Sequence, residues 1–414
     1  MGVTELGIVQ WLTGPSAVPV ITRAQHLSSP APGGSGTLAT AAALRSTFPD
    51  LSSEQCAAAL TQASLRTLAS ERYGIEGARF LTRDGLEQAT RPVIACRRAG
   101  IIAASGCAQV VDLTGGLGFD AGAFVSAGLD VTVVERSPQT ACLLAANVPA
   151  ARLVLGDATD ASILAEATHG LGPGDVIFID PARRDPSGRR TSDGSRAQSE
   201  RDPERWSPPW SFVISLARQH RICVKTTPSF PPENVPTGWH GEWTSLAGNS
   251  IEACLWSWRV FDAPRRAVRI VSATSDVAEF EGTGTVSGRN VEDVGGWLHE
   301  VDPSIVKAGL LDDIAAVFGA WHLDPGSTWL SSDHPVTSPF IRNFAVIEAL
   351  PSDPKSLRLA LRERGVGALT IKGRSTGIDP EALRKSLALD GPNTATIVIA
   401  VSQRRRVTLL VAPH

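Results

Sequence analysis

Four carboxylates close four apolar runs at nearly even spacing. VVD ends at Asp112, VTVVE at Glu135, LVLGD at Asp157 and VIFID at Asp180, with gaps of 23, 22 and 23 residues. Each gap is about the length of one strand, one helix and two short loops, the repeat of a parallel α/β sheet. Ligands of such sheets bind outside the carboxyl ends of the strands, where these side chains would gather. Between the first two runs lies TGGLG, Thr114 to Gly118, a turn whose glycines let a ligand approach the backbone closely. Carboxylates around a glycine turn predict a nucleoside-binding site.

Two cofactor classes use a strand followed by a glycine turn. Gly116-Leu117-Gly118-Phe119-Asp120-Ala121 satisfies the G-x-G-x-x-A pattern of dinucleotide sites, and Glu135 could hold a ribose. Taken alone, that pattern is weak. Asp112 ends the glycine-rich strand itself, and a carboxylate there would repel a pyrophosphate but suits a cationic sulfonium and an α-amino group. Asp157, followed by Ala158, can accept from an adenine amino group. Asp180-Pro181 stands where a methyl acceptor would sit. Together these features favour S-adenosylmethionine.

The elements needed to position these residues can be read around them. DAGAFVSAGL and SPQTACLLAANV have the lengths of crossover helices. The run SEQCAAALTQASLRTLASERYG predicts a helix capped by Ser52 or Ser53 and ended by Gly74, within a mainly helical region of residues 1–104. SSPAPGGSG, from Ser28 to Gly36, reads as a loop. Residues 182–205 are almost devoid of apolar side chains and leave directly from the fourth strand end. Residues 183–205 interleave seven Arg with five acids, the composition of a loop that clamps an RNA backbone or of a disordered, solvated segment, the first being favoured. WSFVISLARQ then predicts a helix, RICVKTTPSF a strand and EWTSLAGNSIEACLWSWRVF a closing hairpin. The sheet domain is expected over 105–262 and a connecting α+β region over 263–340, with one helix in PSIVKAGLLDDIAAVFG. From 341 to 414, Asp353-Pro354 and Asp379-Pro380 each open a helix, and ATIVIAVSQ and VTLLVAP pair around Arg404-Arg405-Arg406. Six of the ten tryptophans fall between 206 and 258; Trp256 and Trp258 read as core, and Trp206 as a candidate for stacking on an extruded base.

At 414 residues, 43% apolar and 20% charged, the chain has room for two or three domains with a full core. Residues 353–414 carry eleven Lys and Arg against five acids, a balance of +6, which leaves −9 on the rest. A basic terminal module on an acidic body suits polyanion binding. The six cysteines show no C-x-x-C spacing and the eight histidines no metal-ligand pattern, so free thiols and no metal site are expected. No apolar run reaches the ~18 residues of a membrane span, and no cationic start precedes an apolar core. The expectation is a soluble, cytoplasmic protein without membrane contact; its oligomeric state is left open.

VVDLTGGLGFD, VTVVERSP, LVLGDAT and VIFIDPARRD, in that order, resemble the motifs of class I S-adenosylmethionine-dependent methyltransferases, with Thr114 in place of the first glycine of the usual first motif. LTRDGLEQATRP (Leu81 to Pro92), DPARRD (Asp180 to Asp185) and IKGRSTGIDPEALRKSL (Ile371 to Leu387) narrow the resemblance to a bacterial subgroup with a C-terminal THUMP-like domain. It implies an α/β fold with a Rossmann-like catalytic domain, a helical N-terminal region and a small C-terminal α/β domain. It also implies an RNA substrate, tRNA or rRNA. Carried over by position, Asp112, Thr114, Gly115, Gly116, Gly118 and Asp120 would line the methionine and ribose side of the cofactor. Glu135 would accept the ribose hydroxyls, Arg136 would lie along the adenine, and Asp157 with Ala158 would meet its amino group. Asp180 would hold or deprotonate the acceptor, with Pro181 beside it and Arg183 where amine-methylating relatives carry an aromatic ring. No cysteine lies in these motifs, which argues against pyrimidine methylation through a thiolate. The rival readings are a small-molecule or protein methyltransferase with a structural C-terminal module, a non-catalytic RNA-binding protein and, more distantly, an NAD-dependent oxidoreductase.

Overall fold

The four carboxylates end up together because the apolar runs are neighbouring strands that all point the same way. In the computed structural model these are β1 (Gln109–Asp112), β2 (Asp130–Glu135), β3 (Arg152–Leu155) and β4 (Val176–Ile179), followed by β5 (Arg221–Thr226). Their order is β3-β2-β1-β4-β5, and every pairing is parallel. The winding reverses between β1 and β4, so a crevice opens at their carboxyl ends. The centre is dry: Val110 on β1 and all four residues of β4 are buried, and Phe124 of the helix Phe119–Ser126 meets Phe178 edge-on at 5.2 Å.

The structure describes residues 5–28, 37–77, 79–182, 202–272, 276–285, 290–373 and 377–414. Residues 29–36 of the expected loop and nearly all of the polar stretch from 182 to 205, Arg183 included, lie outside the described residues, while Ser28 ends a helix. Two units make up the chain: residues 1–225 with 256–260, and residues 226–255 with 261–414. This differs from the four segments expected from sequence, because the hairpin of residues 240–256 puts most of its length with the later strands.

In the first unit, helices Val18–Ser28 and Ser53–Leu68 pack around Ile21, Leu44 and Ala59. Ser52 opens the longer helix in a reciprocal capping box with Gln55, and the chain leaves it at Gly74 with φ 63° after a π-helical turn. A second apolar cluster joins Leu65, Leu81 and Leu86 to Leu117, which belongs to the glycine turn. The N-terminal region is thus one wall of the crevice. Buried Gln62 clamps the Leu81 backbone from both sides, donating to its carbonyl at 2.6 Å and accepting from its N–H at 3.0 Å.

In the second unit, β6 (His240–Leu246) and β7 (Asn249–Trp256) form the expected hairpin through Ala247-Gly248, and lie with β8 (Arg265–Ile270) and β9 (Val277–Gly282) in the order β7-β6-β8-β9. A separate sheet contains β10 (Trp297–Val301), β11 (Trp321–His322), β12 (Trp329–Ser332), β13 (Ile341–Leu350), β14 (Val366–Gly373), β15 (Asn393–Ser402) and β16 (Arg405–Pro413), in the order β11-β12-β10-β13-β16-β15-β14. β14 and β15 pair in parallel, joined by the helix Pro380–Leu387. Asp353 and Asp379 cap the helices as their Asp-Pro pairs predict. The single helix expected over Pro303 to Gly319 is instead two, Pro303–Ala308 and Leu311–Phe318, because Gly309 turns left-handed at φ 67° and caps the first.

Candidate active site

Thr114, which replaces a glycine in the resemblance, ties two strand ends together. Its Oγ1 donates to Asp112 Oδ1 at 3.3 Å and accepts the Asp180 N–H at 2.7 Å, while its own N–H donates to Asp112 Oδ1 at 2.9 Å. The turn after it is tight for steric reasons. A β-carbon at Gly115 would run into Val133 and Leu144, Gly116 has φ 52°, and Gly118 has φ 80° with Val148 against it. Asn147 fastens the turn to the N-terminal wall, donating to the carbonyls of Leu117 and Phe80, both at 3.0 Å, and accepting from the Phe80 N–H at 2.7 Å.

The strand-end carboxylates differ in character. Asp112 is 1% exposed, and burial pushes its pKa up to about 7 against the pull of the Thr114 N–H, with Asp120 and Asp180 adding repulsion. Glu135 accepts from Gly116 N–H at 2.9 Å through one oxygen and from Ser137 N–H at 2.8 Å through the other. Two of its four lone-pair sites remain for a ligand. Asp157 is exposed and is held below the usual carboxylate range by the hydroxyl and N–H of Thr159, at 2.7 and 2.8 Å. Ala158 behind it is buried.

Other expected residues take different partners. Asp120 is buried, and its carboxylate takes an ion pair from Arg98 and a 2.5 Å hydrogen bond from Thr90, both on the N-terminal region. These contacts leave it bracing the wall, not facing outward to a cofactor. Arg136 is exposed and donates to Ser207 Oγ at 3.2 Å. Ser207 in turn pairs its backbone with Ala182 at 2.8 and 3.0 Å, so the two ends of the polar insertion meet beside β4. Pro181 is buried next to half-buried Asp180. Trp206 is 5% exposed and packs edge-on against Trp210 at 6.2 Å, which removes it as a platform for a base. Trp256 is fully buried, as expected of a core residue, and stands edge-on against Trp258, which is only half-buried.

One residue escaped the sequence reading. Lys225, at the end of β5, is 9% exposed; its Nζ donates to Asp180 Oδ2 and lies 3.8 Å from Asp120 Oδ2. Its signal was a lone lysine closing an otherwise apolar run, RICVK. Asp120 and Asp180 therefore pair with Arg98 and Lys225, while Asp112 takes its hydrogen bonds from Thr114, a buried carboxyl beside the turn that suits a positively charged ligand. A buried carboxyl, a turn that excludes β-carbons and a half-satisfied Glu135 fit S-adenosylmethionine. Among the described residues no cluster of His, Cys, Asp and Glu could hold a metal, and no helix is long and apolar enough to cross a membrane. Cys223 is fully buried on β5, and burial pushes the Cys107 thiol up to about 11.

Comparison with known proteins agrees with this geometry. Residues 341–413 match the family model described as THUMP domain-like. A Mycobacterium tuberculosis protein named as an uncharacterized S-adenosylmethionine-dependent methyltransferase is 30% identical over 323 residues, 77% of this chain and 84% of the relative. A ribosomal RNA small subunit methyltransferase J from Rhodopseudomonas palustris is 36% identical over 106 residues, covering 21% of this chain and 45% of its own. The fold is shared with a crystal structure from Porphyromonas gingivalis W83, assigned as a methyltransferase, at TM-score 0.71 and 20% identity over 96% of this chain and 97% of that one. With this sheet, this glycine turn and a relative matched over most of both lengths, the chain belongs to the S-adenosylmethionine-dependent methyltransferases.

Proposed function

We propose that the chain methylates a base in RNA, tRNA or rRNA, in the cytoplasm. The observation that carries the RNA assignment is the module matched as THUMP domain-like, whose cations are arranged for a polyanion. Arg404, Arg405 and Arg406 are exposed at the β15–β16 turn. That turn is held in place: Gln403 and Arg404 have φ 47° and 65°, and their N–H groups donate to Leu323 O and Asp324 Oδ2, both at 2.9 Å. Arg358 and Arg362 donate to the carbonyls of Ser386 and Ala388 at the end of the neighbouring helix, which fixes the guanidinium groups without neutralising them. The likeness to ribosomal RNA methyltransferases supports the same class of acceptor.

S-adenosylmethionine, when bound, supplies a methyl group on a sulfonium whose bond to sulfur breaks as the acceptor attacks. The protein's part is orientation. Asp112, Thr114, Gly115, Gly116 and Gly118 form the cradle for the methionine and ribose side, Glu135 takes the ribose hydroxyls, and Arg136, Asp157 and Ala158 border the adenine. Asp180 accepts a hydrogen bond from the acceptor, Pro181 holds that carboxylate at the strand end, and Arg183 is assigned to stack on the base or bind its phosphate. The test is transfer of radiolabelled methyl from S-adenosylmethionine to size-fractionated RNA from cells lacking the protein. Nuclease-sensitive label in one fraction is expected. Label found only in protein or small molecules would overturn the RNA assignment.

A further inference from the structure

We propose that Lys225 is a positioning residue for methyl transfer, holding the Asp180 carboxylate in the orientation that receives the acceptor. The inference rests on the reading of Asp180 as the acceptor-holding residue. β4 and β5 run in parallel register, with Ile179 beside Val224, so Asp180 and Lys225 are the next pair out at the carboxyl ends of both strands. Residues 222–224 before Lys225 are fully buried. An ammonium in such a place is unfavourable unless it is matched by charge and hydrogen bonds. Lys225 is matched by Asp180 Oδ2 in direct contact and by Asp120 at 3.8 Å. Asp120 is itself fixed by Arg98 and Thr90, and Arg98 lies over the Phe178 ring at 5.1 Å. A row of alternating charge, Arg98–Asp120–Lys225–Asp180, thus runs from buried Arg98 on the helix Pro92–Ala104 to the crevice.

The row has a chemical consequence. One oxygen of Asp180 is committed to Lys225, and its backbone N–H is committed to Thr114. The other oxygen is left to accept from the donor group of the acceptor, in a direction set by the protein's interior. Without Lys225, Asp180 would face Asp112 and Asp120 without the ammonium that pairs with it and would turn away. Since in-line transfer depends steeply on alignment, losing that direction should slow the transfer far more than it weakens binding.

The experiment is a double-mutant cycle on the full chain, with Lys225→Met and Asp180→Asn, using the acceptor fraction that wild type labels. Lys225→Gln serves as the second neutral variant should Lys225→Met not fold, and Lys225→Arg as the conservative rescue. Expected are an S-adenosylmethionine Kd by calorimetry and an acceptor KM each within about threefold of wild type, and a kcat lower by roughly a hundredfold. Lys225→Arg should recover most of the rate. Adding Lys225→Met to Asp180→Asn should cost little more, because the lysine acts through that carboxylate. Multiplying losses, or losses in Kd and melting temperature that parallel the loss in kcat, would overturn the proposal. Full transfer by Asp180→Asn would overturn the reading of Asp180 itself. Label in a fraction other than RNA would overturn only the RNA assignment, and the cycle runs equally well on that fraction.

Discussion

At the strand ends of the first unit, charged groups are held by fixed partners: Asp112 by Thr114, Glu135 by the Gly116 and Ser137 N–H groups, Asp120 by Arg98, Asp180 by Lys225. On the module of residues 341–413 in the second unit, the guanidinium groups of Arg358 and Arg362 rest on carbonyls, and Arg404 to Arg406 stand exposed at a turn. The first arrangement is buried or half-buried and interlocked, so each member limits the directions open to its neighbours. The second is solvent-facing and additive, so each cation contributes a similar small amount. One suits orienting a reaction, the other attracting a long polyanion without reading it closely.

If this contrast holds, single changes at the strand ends should be severe and selective. The largest effect is expected for Asp180→Asn, which keeps the shape and removes the charge proposed to hold the acceptor. Methyl transfer should fall by about a hundredfold or more while S-adenosylmethionine affinity, measured by calorimetry, changes little. A parallel fall in both would place Asp180 among the cofactor ligands. Next comes Gly115→Ala, whose β-carbon would meet Val133 and Leu144. Overpacking of this kind costs roughly 1–3 kcal/mol, so a lower melting temperature should accompany at least a tenfold loss of cofactor affinity. Unchanged affinity would mean that the turn can shift without consequence for the ligand.

The sequence carried the strand ends and the glycine turn because both are local: an apolar run ends where a carboxylate begins, and Gly116 and Gly118 occupy positive φ. The module was equally legible, since each Asp-Pro pair caps its own helix. What the sequence hid were relations across the fold. Asp120 looked like part of the glycine motif, but its partners Arg98 and Thr90 lie on the N-terminal region. Lys225 gains its meaning only from the register of β4 with β5. Trp206 sits beside a polar stretch, yet the structure buries it against Trp210, and Gly309 inside an apolar helical run acts as a cap that periodicity alone does not reveal.

Asp112 sharpens the comparison through pH. Its folded value of about 7 stands above the ordinary 3.8, so the native state binds this proton more tightly than the unfolded chain. The stability it contributes is fully present below the ordinary value and is lost as pH rises through 7. A cationic ligand favours the ionised form, so binding should release the proton and grow tighter as pH rises toward 8. Expected are a cofactor-free melting temperature that declines between pH 5 and 8 and an S-adenosylmethionine affinity that rises over the same range. Asp112→Asn should flatten both curves. An affinity independent of pH in wild type would remove Asp112 from the cofactor's charged contacts.

The smallest effects belong to the module. Replacing Arg404, Arg405 and Arg406 together by Ala removes up to three phosphate contacts from a turn whose backbone remains pinned by Leu323 and Asp324. On single-stranded RNA the slope of log affinity against log salt should then become shallower by about 2, given roughly 0.7 per phosphate neutralised. The loss should be similar for unrelated RNA sequences, and kcat at saturating acceptor should stay near wild type, since no strand-end group is disturbed. Arg358→Ala alone should reduce the slope by less than one. A triple variant that bound RNA normally but lost kcat would erase the distinction between the two regions, because exposed cations would then be setting alignment as the buried row Arg98–Asp120–Lys225–Asp180 does.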